Sequence, residues 1–517
     1  MGGSWSSFSP PSTAGSFSPE TMLLLTDGSV LIHSAAGGSS NYSGSNQWIR
    51  LTPDSNGNYS TGTWSALLTM SNTRQFFSSA VLPDGRVYVI GGEYTNADSS
   101  GQDGSLGEIF DPQTNLWSPM SKPAAFSWIQ GDASGAVLAD GRVLLGNLQT
   151  TSPPFTTALW DPVTNDWTVA GSAFGTLGTD TKNSNCNEET WTLLPDGSVL
   201  TVDTLDEPNA ERYIPSIDEW VSTGTTPSNL VLTTITDPTG ASVSIFEIGP
   251  AILLPDGRVF AIGGTGQTAL YTPPPAGSDP RTTPGTWTAG PAFPNDTSSG
   301  HVWPTLTASD APAVLQTNGK VLLTAGNLYE INQGAANADY FSQDMTFLEF
   351  DPATNMLSTF SPVPFSPSSA PNTWPARFLL LPTGQILLTT QGSTIYIYTP
   401  DSADNDPQDS WRPAITSAPG TLVTGHTYTL TGTQFNGLSQ AVSYGDDAQM
   451  ATNYPIVRLS DAAGQVRYLR SFNFSTMAVA TGDESVTTEI EVPLDVAPGQ
   501  WQLAVIANGI ASQPVDV

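Results

Sequence analysis

The run Leu24-Leu25-Thr26-Asp27-Gly28-Ser29-Val30-Leu31 decides the architecture: two apolar stretches separated by Asp-Gly. Asp-Gly or Asn-Gly between apolar runs is the strongest short-range hairpin signal, because both turn residues tolerate a left-handed backbone. The pattern returns as Val81-Leu82-Pro83-Asp84-Gly85-Arg86-Val87-Tyr88, and then around Asp140-Gly141, Asp196-Gly197, Asp256-Gly257, Asn318-Gly319 and Thr383-Gly384. The seven turns lie 57, 56, 56, 60, 62 and 65 residues apart. So even a period predicts repeated units of one supersecondary type.

A second signal follows later in each unit. Asp111-Pro112-Gln113-Thr114-Asn115-Leu116-Trp117 recurs as Asp161-Pro162-Val163-Thr164-Asn165-Asp166-Trp167 and as Asp351-Pro352-Ala353-Thr354-Asn355-Met356-Leu357, with weaker copies marked by Trp64, Trp220 and Trp287. Each reads as a strand, a Pro-Asx turn and a strand opened by Trp. Two hairpins per unit make a four-stranded blade, and helical periodicity is absent. Seven first hairpins are followed by only six outer-strand signals. The missing outer strand is expected near Trp5, pairing with Tyr396-Ile397-Tyr398 to close the ring. Past the acidic linker Asp401–Asp409, Arg412-Pro413-Ala414-Ile415 opens a further series of alternating strands. The chain thus divides into residues 1–410, a seven-bladed β-propeller, and 411–517, a β-sandwich.

Composition limits the partners. Acidic residues outnumber basic ones 47 to 15, a net charge of −32, which repels nucleic acid and anionic membranes. Charged residues are only 12% of the chain, and the sequence pI is about 4.1. Together these suggest a secreted or extracellular protein in an acidic setting. The single cysteine, Cys186, excludes an intrachain disulfide and reads as an inert thiol. There is no apolar run long enough for a membrane helix. Met1-Gly2-Gly3 reads as a start placed after a removed leader. A monomer is expected. Asn41, Asn58, Asn295 and Asn473 open glycosylation sequons of a kind that chance also produces.

The double glycines after the first hairpin (Gly91-Gly92, Gly263-Gly264), the Asp-Pro-x-Thr-Asn turn and the following Trp resemble kelch repeats. The count of seven and the C-terminal strands resemble the galactose oxidase family of kelch proteins, whose last domain is immunoglobulin-like. The resemblance covers about 500 residues. It implies an all-β fold: a seven-bladed kelch-type propeller closed by the N-terminal strand, followed by an immunoglobulin-like β-sandwich. A copper-radical oxidase of that family needs two His, two Tyr and a Cys joined to one Tyr. The matching positions hold Phe76 or Phe77, Asp132, Trp374-Pro375 and Gln449, and the three histidines, His33, His301 and His426, are dispersed. No copper, other metal or cofactor is therefore expected.

Those positions carry other chemistry. Seven to ten residues before each turn, where the family's site would lie, stand Glu20, Arg74 and Gln75, Gln130 and Asp132, Asn187, Glu188 and Glu189, Glu247, Asp310, and Trp374 and Arg377. His301 and Trp303 lie on the approach to the sixth blade. Such residues serve equally well as solvated rim groups and inter-blade hydrogen-bond partners. As a site, crowded carboxylates split into protonated and ionised members, the pairing that cleaves glycosidic bonds. On that reading Asp132, Glu188, Glu189, Glu247 and Asp310 are the catalytic candidates. Arg74, Gln75, Gln130, His301, Trp303, Trp374 and Arg377 would bind a carbohydrate or another small polar ligand. A Ca²⁺ site is a weaker alternative, since no spaced Asp loop supports it. The expected function is action on, or recognition of, a glycan at the channel mouth by non-redox chemistry, as a hydrolase or lyase if an enzyme. The alternative is a binding propeller without catalysis, and a more remote one is an oxidoreductase of the galactose oxidase type.

Overall fold

The computed structural model describes residues 2–517 except 36–43, 97–102, 150–155, 172–181, 237–241, 296–305, 329–341, 367–368, 402–405 and 445–449. Seven antiparallel blades surround one axis. Their inner strands are Pro19–Leu24, Ser78–Val81, Gly135–Val137, Thr192–Leu193, Ala251–Leu253, Ala313–Leu315 and Arg377–Leu380. Blade 3 shows the plan: Gly135–Val137, Val143–Gly146, Thr157–Asp161 and Asp166–Ala170 pair in sequence order from the axis outward. Inner and second strands are almost wholly buried, because both of their faces pack against neighbouring blades.

The first turns differ from the expectation in their mechanism. Only the glycines are left-handed, at φ 77° for Gly28, 86° for Gly85 and 87° for Gly141. The Gly28 N–H donates to the Leu25 carbonyl and the Leu25 N–H to that of Ser29, so each turn is a type I turn ending in a left-handed glycine. Asp is chosen for its side chain. Asp84 Oδ1 accepts the Arg86 N–H at 3.0 Å, and Asp140 and Asp256 do the same for Arg142 and Arg258.

In blades 2 to 5 the Trp of the outer strand sits directly across from an aromatic residue of the third strand, whereas Trp64 of blade 1 faces Leu51. Phe110 faces Trp117, Trp160 faces Trp167, Tyr213 faces Trp220 and Tyr271 faces Trp287. Three of these pairs have ring centroids 4.9 to 5.6 Å apart, the separation at which tilted aromatic pairs attract. Ring closure is as expected. Ser4–Phe8 is the outer strand of blade 7, with Trp5 opposite Tyr398.

The C-terminal strands form an immunoglobulin-like sandwich around Leu430, Leu459, Leu469, Ile490 and Leu503. Val466–Phe472 joins its two halves, pairing with Ile456–Ser460 at one end and Val486–Glu491 at the other. The sandwich docks on the face carrying the Asp-Gly turns: Ser471, Phe474 and Met477 donate backbone N–H groups to the carbonyls of Thr26, Pro83 and Ala139. One segment leaves it and enters the ring. Val442–Ser443 pairs with the blade 6 inner strand at Ala313 and Val314 and also touches the inner strands of blades 5 and 7. No helix among the described residues is long and apolar enough to cross a membrane.

Candidate functional site

At the face opposite the sandwich, the loops entering the inner strands share one backbone device. Phe76, Gly131, Glu188, Phe246 and Asp310 all have positive φ, between 43° and 63°, and each lies eight to ten residues before its blade's turn. Left-handed backbone at non-glycine residues is costly and persists where the surroundings over-determine it. Here a chain of inter-blade hydrogen bonds does so. The Ser134 hydroxyl donates to the Glu189 carbonyl. The Thr190 hydroxyl donates to Gly249 O at 2.9 Å and the Asp310 N–H to Ile248 O at 3.4 Å. The Thr373 hydroxyl reaches Ser309 O at 3.3 Å, and the Thr389 hydroxyl reaches Glu20 O at 2.7 Å.

This chain brings three carboxylates from successive loops together. Glu188, Glu247 and Asp310 each offer an oxygen, and these atoms all lie within 4.8 Å of one another. Glu247 is buried, and the other two are partly exposed. Glu247 ends the hairpin Leu232–Thr236/Ser242–Glu247, which stands between blades 4 and 5. Among the described residues, this is also the acidic group compact enough to share one cation.

Glu189 faces the other way, into blade 4. Lys182 Nζ donates to Glu189 Oε1 at 2.8 Å, Asp203 Oδ1 at 3.0 Å and Glu211 Oε1 at 3.1 Å, with all four side chains buried. Trp191 and Thr201 donate to Glu189 Oε2 at 3.1 and 3.2 Å. Burial raises the Glu189 carboxyl to about 7 against the pull of Lys182, with Asp203 adding to the rise. Burial likewise pushes Glu211 well above its ordinary range and lifts the Cys186 thiol to about 12, in keeping with an inert cysteine.

The remaining candidates are spread around the ring. Asp132 is buried at the start of blade 3, just after left-handed Gly131. Gln130 donates to the carbonyls of Ala133 and Ser134 within the same loop. Arg74 is buried, donating to the Gly91 and Leu106 carbonyls at 2.6 and 2.9 Å and pairing with Glu108 at 3.4 Å. Gln75 donates to Glu20 at 3.3 Å. His301 and Trp303 lie outside the described residues.

Arg377, Trp374, Phe76 and Tyr444 form a second group. The Arg377 guanidinium lies 3.3 Å from the Tyr444 ring centroid and 5.7 Å from that of Phe76. Phe76 meets Trp374 edge-on at 5.9 Å, and the Tyr444 hydroxyl donates to the Trp374 carbonyl at 2.8 Å. Tyr444 arrives from the sandwich directly after Val442–Ser443, a contribution the spacing of the blades could not signal.

A buried pair completes the inner rim. His33 Nδ1 lies 2.9 Å from Glu20 Oε2, and His33 Nε2 lies 3.0 Å from the Ser45 carbonyl. Gln391 of blade 7 also donates to Glu20, at 2.6 Å. Burial pushes the Glu20 carboxyl up, but His33, Arg377 and Gln75 outweigh it and hold it below the usual range.

Residues 76–124 match the family model described as a kelch motif. Among solved structures, a fungal alcohol oxidase of the AA5 family, described in complex with copper, is 14% identical over 99% of this chain and 98% of its own, with a TM-score of 0.54. YjhT is 12% identical over 67% of this chain and 97% of its own, with a TM-score of 0.37. The WD40 β-propeller domain of Doa1 is 10% identical over 78% and 99%, with a TM-score of 0.40. No curated protein sequence matches. The chain is a kelch-type seven-bladed propeller with a C-terminal immunoglobulin-like domain. Its fold is that of the galactose oxidases.

The copper-radical centre implied by the sequence resemblance does not fit the residues at its matching positions. Phe77 is a buried ring packed at 5.1 Å on His33, and His33 has both ring nitrogens engaged. His426 is exposed on the sandwich, and Gln449 lies outside the described residues. Apolar Phe77, Trp374 and Pro375 offer no imidazole, phenol or thiol donor to Cu²⁺.

Proposed function

We propose that the protein is a secreted, non-redox carbohydrate-active enzyme that cleaves a glycan at the channel mouth with Glu188, Glu247 and Asp310. The observation that carries this is their convergence from three successive loops to within 4.8 Å. Glycoside cleavage needs one carboxyl group protonated as the general acid and another ionised, and crowding of carboxylates is an arrangement that separates their titrations. Glycosidases that retain configuration place their two carboxyl groups about 5 Å apart, and the inverting class about 6.5–9.5 Å apart. The observed closeness favours the retaining route. The acid would protonate the leaving oxygen as the second carboxylate bonds the anomeric carbon. Water would then release the sugar, with the first group acting as base. Trp374 and Phe76 supply apolar ring surface for a pyranose, and Arg377 steadies them.

The same three oxygens favour a second reading, a glycan-binding rim in which a hard divalent cation bridges the carboxylates. A glycan panel incubated from about pH 3 to about pH 7, with released sugars and retained protein both measured, separates the two. Turnover that Glu188→Gln abolishes while leaving folding intact supports the enzyme. Retention without turnover, strengthened by Ca²⁺ or Mn²⁺, supports the binding protein. Neither turnover nor retention on any glycan would sink both.

A further inference from the structure

Glu188 and Glu189 are neighbours in sequence with opposite surroundings. Glu188 turns to the rim through a left-handed backbone, φ 55°. Glu189 turns inward to Lys182. An ammonium group has three N–H donors and no acceptor. Lys182 places one donor on each of three carboxylates, and these come from three places in blade 4. Glu189 is on the entry loop, Asp203 follows the strand Val199–Val202, and Glu211 lies within Asn209–Ile214. The Trp220 ring stands 5.1 Å from Nζ, and the Glu211 carboxylate also accepts the Asn183 N–H at 3.0 Å. The arrangement is a tripod that ties the entry loop to the body of the blade.

We propose that Lys182 is a positioning residue for the rim. By holding Glu189 inside blade 4, it keeps Glu188 in the conformation that presents its carboxylate to Glu247 and Asp310. Both flanks of Glu188 are pinned. The Asn187 carbonyl accepts the Thr204 hydroxyl, and the Glu189 carbonyl accepts that of Ser134. The Glu189 side chain, which accepts hydrogen bonds from Lys182, Trp191 and Thr201, is the third part of this clamp. A buried polar side chain stripped of these partners swings out, and that frees the backbone at Glu188. The catalytic consequence rests on the proposed glycosidase reading; the geometric one does not.

The test compares Glu189→Gln, Glu189→Leu and Lys182→Met. The Glu189 pair leaves Asp203 and Glu211 in place against Lys182, so it decides the matter even where Lys182→Met fails to fold. In crystal structures, Glu189→Leu should carry the Glu188 carboxylate out of reach of Glu247 and Asp310. On any glycan that the unaltered protein cleaves, kcat should fall about 100-fold at unchanged KM, the scale of a misplaced catalytic group. Glu189→Gln keeps an acceptor for Lys182 and should restore both. The inference is overturned if Glu188 stays within 4.8 Å of both partners in Glu189→Leu, or if Glu189→Gln is as impaired as Glu189→Leu. If the unaltered protein cleaves nothing, the glycosidase reading fails and the crystal structures alone decide the clamp.

Discussion

The indole of Trp5 lies 5.2 Å from the ring of Tyr398 and donates its N–H to the Pro362 carbonyl at 2.9 Å. Near the start of the chain it thus completes the last blade, between the third strand of that blade and the turn region before it. Trp5→Ala should lower stability in urea unfolding by about 2–4 kcal/mol, as for other large aromatic truncations. Deleting residues 1–10 should cost more, because Ile395–Thr399 then becomes an open edge strand. Unfolding midpoints unchanged by both would show that closure contributes nothing.

Arg86 pairs with Asp84 in its own turn at 2.7 Å and donates to the Pro162 carbonyl of the next blade at 2.9 Å. Arg258 does the same with Asp256 and Pro352, at 2.6 and 3.1 Å. These contacts link the Asp84-Gly85-Arg86 and Asp256-Gly257-Arg258 turns to the Asp-Pro turns of their neighbouring blades. Arg86→Ala or Arg258→Ala should cost about 1 kcal/mol each by chemical denaturation. Arg→Lys should recover only part of that, because lysine lacks the fork that spans both acceptors.

The buried acids of blades 1 and 4 should give stability a defined pH course. Glu189 rises to about 7 in the folded protein, against about 4.3 in an unfolded chain. A raised folded pKa means that its contribution is fully present below the unfolded value and is lost as pH climbs through about 7. Glu211, also raised, acts in the same direction. Glu20 is lowered, so its contribution is present above the unfolded value and is lost as acid protonates it. Melting temperature measured against pH should therefore peak in mild acid and fall toward neutrality. Glu189→Gln should flatten the neutral side, and a curve still rising past pH 7 would contradict the assignment.

Protein purified without added metal should hold no stoichiometric copper by elemental analysis, and should produce no hydrogen peroxide from galactose. The donor set at Phe77, Asp132, Trp374 and Pro375 motivates this. One bound copper per chain would overturn it.

The blades were legible because their turns are chemically narrow. Gly28 and its six counterparts must be left-handed, and an Asx or Thr precedes every one. Ring closure was legible by counting outer strands. The rim was legible only as a set of heights along the axis. Spacing put Asp132, Glu188, Glu189, Glu247 and Asp310 at one level; Glu188, Glu247 and Asp310 converge there, while Glu189 turns to Lys182. The direction of a side chain, however, depends on a single φ angle and on what lies behind it. Lys182 is far from any repeat signature, so nothing in the period announced the tripod that turns Glu189 inward. Tyr444 comes from another domain, beyond the reach of any argument from blade symmetry.

The pairing of Val442–Ser443 with the inner strand of blade 6 makes the propeller a cup rather than a tube. The sandwich covers the turn face and sends this segment up the axis as a stopper, while Glu188, Glu247 and Asp310 stand at the opposite lip. A polymer therefore cannot thread the ring. Whatever the rim binds must reach it from the open lip and leave by the same side.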